Sequence, residues 1–229
     1  MPIYKLENNT TDFPHPSLAE DNGLLAFGGD LSIQRLLKAY TNGIFPWYSQ
    51  GQPIMWWSLD PRLVLFPAEF KPSKSLRRLV KKQKFTVTFD MAFRDVIRAC
   101  ADMPRPDQEG TWIIPEMINA YENLFNNGYA HSCETWLNGK LVGGLYGVSI
   151  GKAFFGESMF HSITDASKVA FYHFIKHLEQ SGFYFVDAQM HTNHLVSLGA
   201  REISREKYLN LLEKAVSENE GNTWEKVSE

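Results

Sequence analysis

Cysteine is nearly absent from the 229-residue chain: Cys100 and Cys133 stand far apart and in no metal-ligand spacing. That excludes a disulfide framework and a thiolate metal site, and it favours a reducing compartment. No window approaches the roughly 18 apolar residues that a membrane span needs, and no basic stretch followed by an apolar run opens the chain. A protein in the cytoplasm, with no membrane partner, is therefore expected. Repeats and low-complexity segments are lacking too. His173 and His177 at i, i+4, and His191 and His194 at i, i+3, have no evident third ligand, so no metal is expected.

Acids are missing from one stretch. Lys71, Lys74, Arg77, Arg78, Lys81, Lys82 and Lys84 follow one another with no carboxylate among them. The chain carries a net charge of −3, so these seven cations sit on a remainder of −10. A concentrated basic stretch on an acidic body suits a local polyanion, since each neutralised phosphate releases condensed counterions. A solvated helix face is the plainer alternative.

With 44% hydrophobic residues the chain can bury one sizeable core or two modest ones. The first sixty residues read as loop-rich, with one helix near Ser32 to Tyr40 that ends at Asn42-Gly43. The basic helix follows, opened by Ser73 or Ser75. A further helix begins at Asp90 with Phe93, Val96, Ile97 and Cys100 inward, and Pro115 opens another. From His131 the period becomes that of strands. His131 to Leu137 and Lys140 to Val148 flank the hairpin signal Asn138-Gly139, and Lys152 to Ser158 follows. Ser162 and Asp165 form a helix-start signal ahead of Phe171, Phe174, Ile175 and Leu178. Phe183 to Gln189 reads as a strand and Ser204 to Val216 as a last helix. Three antiparallel strands, helix, strand and helix make an α+β fold with the order of an acetyltransferase-like (GNAT-like) domain. The division expected is a small N-terminal domain, 1–62, contributing to the binding site, and a catalytic domain, 63–229. The polar tail from Ser217 is expected to fray.

Particular runs carry more than periodicity does. They include Gly23-Leu-Leu-Ala-Phe-Gly-Gly-Asp30, Ala39-Tyr-Thr-Asn-Gly-Ile-Phe-Pro-Trp47, Pro53-Ile-Met-Trp-Trp-Ser-Leu-Asp-Pro-Arg62 and Glu109-Gly-Thr-Trp112. Further along stand His131-Ser-Cys-Glu134, Leu141-Val-Gly-Gly-Leu-Tyr-Gly147, Gly156-Glu-Ser-Met-Phe160, Ala166-Ser-Lys168, Asp187-Ala-Gln189 and His194-Leu-Val-Ser-Leu-Gly-Ala200. In order and spacing the chain resembles the leucyl/phenylalanyl-tRNA-protein transferase family over roughly residues 13 to 210.

The resemblance implies aminolysis of an aminoacyl ester, without a cofactor. The partners implied are Leu- or Phe-tRNA and acceptor proteins beginning with Arg or Lys, and a monomer is expected. Asp187 and Gln189 lie two apart on one strand, which would put them on one face as polar interruptions of a core strand. The resemblance makes Gln189 the residue that meets the attacking amine, with Asp187 polarising it from behind. Glu157, read as accessible near Gly151 and Gly156, is implied to bind the cationic side chain of the acceptor. Trp47 and Trp112 match the stacking positions for the terminal adenosine, with Tyr40 and Tyr121 nearby in the pattern. The amino-acid pocket is implied at Leu145, Phe154, Met159, Phe171, Phe174 and Val186. Leu145 stands where Met is frequent in the family and Phe171 where a smaller Leu is found, which bears on the preference between Leu and Phe. The seven cations from Lys71 to Lys84 are assigned to tRNA phosphates.

Two other readings of the residues are weaker. An acyl-CoA acetyltransferase would need an Arg or Gln followed by x-x-Gly-x-Gly or Ala to cradle pyrophosphate, and no such run occurs. A non-catalytic RNA-binding module would leave Asp187, Gln189 and Glu157 without a purpose.

Overall fold

The computed structural model describes residues 3–104, 111–218 and Trp224. Glu109 and Gly110 of the quoted runs, and most of the tail from Ser217, lie outside the described residues.

The N-terminal part forms a four-stranded sheet from β1 (Tyr4–Leu6), β2 (Leu24–Gly28), β3 (Phe45–Pro46) and β4 (Met55–Trp57), with α1 (Ile33–Thr41) between β2 and β3. Its order is β1-β2-β4-β3. Strands of two to five residues rich in Gly, Pro and Trp leave no readable alternation, so the loop-rich expectation is corrected here. Ser32 caps α1 and Leu36, Ala39 and Tyr40 face inward.

The larger sheet begins at β5 (Arg62–Leu65) and is followed by the basic helix α2 (Lys74–Lys81), β6 (Thr86–Phe89), α3 (Phe93–Ala101) and α4 (Pro115–Asn126). Ser73, rather than Ser75, caps α2 by accepting the Leu76 N–H. β7 (Ala130–Leu137), β8 (Lys140–Ile150) and β9 (Ala153–His161) form the expected meander, with β9 running three residues past Ser158. Asn138 and Gly139 join the first two strands with φ of 51° and 72°, as a two-residue hairpin turn requires. Then come α5 (Ala166–Gln180), β10 (Phe185–Gln189), α6 (Asn193–Ser197), β11 (Arg201–Ile203) and α7 (Arg205–Ser217).

The sheet order is β11-β5-β10-β9-β8-β7-β6. β10 runs parallel to β9, the crossover being α5, while β5 and β11 extend the sheet beyond it. The α+β order of meander, helix, strand and last helix is the one the sequence implies, except that α6 and β11 stand between β10 and α7. The helix-start signal before α5 is not used as read: Asp165 takes a left-handed φ of 69° and caps no backbone N–H, pairing instead with Lys168. The largest apolar cluster draws Leu25 and Trp56 from the first sheet and Phe93, Phe155 and Tyr208 from the larger part, so the two sheets share a core.

β8 needs its glycines for close packing. A Cβ at Gly147 would overlap the Phe155 carbonyl oxygen and the Phe154 ring, and that backbone oxygen cannot move aside. Gly139 has open space and only its positive φ to satisfy. Gly147→Ala is thus expected to lower unfolding free energy in urea by about 3 kcal/mol, and Gly139→Ala by about 1 kcal/mol. Equal losses would contradict the packing assignment.

Candidate active site

The parallel pairing of β9 and β10 ends at Phe155 and Asp187. Beyond it both strands are bulged against their other neighbours. Gly156 and Ser158 pair with consecutive residues Gly147 and Tyr146 of β8, which leaves Glu157 as the extra residue. Asp187 and Gln189 likewise pair with Val64 and Leu63 of β5, leaving Ala188 unpaired. A bulge re-aims the side chains around it. Two of them side by side turn Glu157 and Gln189 to a common place.

The expectation that Asp187 and Gln189 share a strand face does not hold, because the bulge breaks the alternation. Asp187 is fully buried. Its carboxylate accepts Arg62 Nε–H at 2.9 Å and Nη2–H at 2.7 Å, the Tyr208 hydroxyl at 2.7 Å and the Gln189 backbone N–H at 2.9 Å. Gln189 adopts φ of +53°, a conformation that costs a non-glycine residue about 1–2 kcal/mol. The bond from its N–H to Asp187 offsets that strain. Asp187 therefore reaches Gln189 through the backbone, while the Gln189 side chain lines a cavity alongside Val186.

Glu157 is partly buried rather than open. Its two carboxylate oxygens accept the Tyr40 hydroxyl at 2.7 Å and the Tyr121 hydroxyl at 3.0 Å, and the two tyrosine oxygens lie against each other. Both phenols are pushed well above their ordinary pKa, by burial first and then by Glu157, so they stay protonated as donors. Burial raises Glu157 to about 7; the tyrosine bonds and Arg62 oppose it, and Asp187 adds to it. Tyr40 and Tyr121 are buried, so neither offers a ring face for stacking. Their place is beneath Glu157, because aromatic rings with a polar tip pack inward when that tip finds an acceptor.

Two cavities meet at this point. One, of about 330 Å³, is mainly apolar and is lined by Leu145, Phe154, Met159, Phe171, Phe174 and Val186 together with Glu157 and Gln189. The other, of about 250 Å³, lies between Trp47 and Trp112 and also reaches Glu157, Ser158, Met159 and Gln189. The six apolar candidates are thus in one wall, and the two tryptophans in another. Sequence reading missed as lining residues Met190, Thr192, His194 and Leu195, which add to the first cavity from the turn after β10 and the start of α6. It also missed Arg62 and Tyr208; Arg62 closes a quoted run, but nothing in a pattern announces a buried cation.

All seven basic residues from Lys71 to Lys84 are exposed, on α2 and beside its ends. None enters an ion pair among the described residues. No group of three or more potential metal ligands gathers among the described residues.

Gln189, Glu157 and an apolar cavity thus meet where the parallel strands of an α+β sheet part. The chain belongs to the leucyl/phenylalanyl-tRNA-protein transferase family. The family model described as leucyl/phenylalanyl-tRNA protein transferase matches residues 64–213, and that of its N-terminal domain matches residues 29–60. The leucyl/phenylalanyl-tRNA–protein transferase of Syntrophobacter fumaroxidans is 56% identical over 98% of this chain and 96% of its own length. That of Solidesulfovibrio magneticus is 54% identical over 96% and 89%. Among solved structures, FemX overlaps 79% of this chain and 71% of its own at 11% identity, with a TM-score of 0.48. The protein is accordingly an aminoacyltransferase, and no helix among its described residues is long and apolar enough to cross a membrane.

The Glu157 environment has a pH signature. Its folded pKa of about 7 lies above the ordinary 4.5, so between those values the folded protein holds a proton that the unfolded chain has released. Stability from this group is full below 4.5 and is lost as pH rises through 7. Glu157→Gln cannot titrate, so the difference in unfolding free energy between wild type and variant should move against the wild type across that window. A difference that stays flat with pH would contradict the burial of this carboxyl.

Proposed function

We propose that this enzyme transfers Leu, Phe and, less readily, Met from aminoacyl-tRNA to the α-amine of proteins beginning with Arg or Lys, tagging them for N-end-rule degradation. The observation that carries the reading is the junction of the two cavities at Gln189 and Glu157. The apolar cavity suits the aminoacyl side chain, and the gap between Trp47 and Trp112 suits the terminal adenine, where stacking is worth about 1–3 kcal/mol per base. The ester carbonyl then lies between them, beside Gln189.

The α-amine of a protein has a pKa of about 7.7–8.0, so enough is neutral near pH 7 to attack without a strong base. The Gln189 carbonyl oxygen accepts an N–H of that amine and aims its lone pair at the ester carbon. The C–N bond forms, the tetrahedral centre collapses, and the ribose oxygen leaves with a proton that the amine gives up. Holding the two substrates together supplies most of the acceleration, an effect of about 7–11 kcal/mol in good cases. Asp187, charge-balanced by Arg62, keeps the Gln189 backbone in the required conformation rather than taking the proton itself. Glu157 receives the cationic side chain of the acceptor's first residue, and a cation beside it favours its ionised form.

The first test is transfer of labelled Leu and Phe from charged tRNA to peptides beginning with Arg or Ala. Transfer to the Arg peptide alone is expected. Gln189→Ala should lower kcat by about 10²-fold while leaving the Kd for charged tRNA near wild type; tight binding without transfer to any acceptor would favour an RNA-binding module instead. The exposed α2 cations are assigned to tRNA phosphates. Lys81→Ala and Lys82→Ala together should then weaken tRNA binding and reduce the slope of log K against log salt by about 2. An unchanged slope would move the tRNA body to another face.

A further inference from the structure

Trp224 stands in the tail that composition alone would leave to fray, yet it is buried, with 6% of its surface exposed. Its ring stacks on His131 at 4.1 Å and 14° and meets the edge of His177 at 4.8 Å. Phe154 lies 6.0 Å away and Phe174 6.3 Å away, centroid to centroid. The two phenylalanines also pack against each other, edge to face at 4.6 Å. The indole N–H is buried without a hydrogen-bond partner among the described residues, which hold the ring by packing.

Phe154 and Phe174 are wall residues of the apolar cavity; Trp224 does not line it but packs beside both rings. Resting on the reading of that cavity as the aminoacyl side-chain pocket, we propose that Trp224 is a specificity-determining buttress that fixes the pocket's depth from behind. A close-packed interior transmits such support directly. Removing the indole opens space into which Phe154 and Phe174 can retreat, because a large-to-small change in a core collapses only in part and shifts its neighbours. The pocket deepens, and the larger side chain gains most.

The test lets Leu-tRNA and Phe-tRNA compete in one reaction with an Arg-starting peptide, for wild type, Trp224→Ala, Trp224→Phe and Phe171→Leu. The readout is the ratio of kcat/KM for Phe over Leu, which a smaller folded fraction does not move. Trp224→Ala should raise the ratio by about tenfold, the low end of what one methylene decides in an apolar pocket. Trp224→Phe should leave it near wild type, since an aromatic ring still fills the space behind Phe154 and Phe174. Should Trp224→Ala not fold, Trp224→Leu carries the test, with a shift in the same direction. A Trp224 variant that lowers both substrates in proportion, or changes neither, while Phe171→Leu moves the ratio, overturns the buttress and leaves the pocket standing. If Phe171→Leu does not move it either, the pocket reading itself fails and the buttress with it.

Discussion

Arg62 and Asp187 meet in full burial through two parallel N–H to oxygen bonds. Taking both charges out of water is costly, and only good geometry with every remaining lone pair and proton used makes the pair tolerable. Here the supporting groups come from all over the chain. Arg62 also donates to the Gly43 carbonyl and lies over the rings of Phe45 and Tyr208, while Tyr208 and the Gln189 backbone complete Asp187. The N-terminal sheet, β5 and β10 of the larger sheet and the last helix are therefore tied through one guanidinium. Burial alone would lower the Arg62 pKa, but Asp187 and Tyr208 hold it above the ordinary value, so the cation persists.

In the proposed mechanism the chemistry depends on that tie, because Gln189 is not in a relaxed conformation. A strand that simply alternated would turn Gln189 back toward Asp187, on the buried side. The bulge at Ala188 and the left-handed φ at Gln189 bring its amide to the cavity instead, and the buried carboxylate offsets the strain. On β9 the matching bulge does the same for Glu157, with Tyr40 and Tyr121 as its support. The site lies where the parallel strands stop pairing, beyond Phe155 and Asp187.

Much of this was legible in the sequence. Asn138-Gly139, the Pro115 helix start and the 3.6-residue spacing of Phe171, Phe174, Ile175 and Leu178 each report a local constraint, and each element formed. The apolar candidates from Leu145 to Val186 lie on four separate elements, and their meeting in one cavity came from resemblance rather than period. What periodicity could not give was the bulges, since a single extra residue leaves the composition of a strand unchanged. It also could not give the burial of Tyr40, Tyr121 and Arg62, which depends on partners as far as 125 residues away. The isolated Trp224 was unreadable for the same reason: its packing partners among the described residues are distant in the chain.

The clamp on Gln189 is most directly tested by amide hydrogen exchange at that residue. A Gln189 N–H held by a buried carboxylate should exchange as slowly as those of Phe185 and Val186 in the same strand, and should be released when Tyr208→Phe removes one of the bonds that fix Asp187. Exchange of Gln189 at the rate of an exposed loop, with Phe185 and Val186 still protected, would show that Asp187 does not hold the backbone there and would contradict the account.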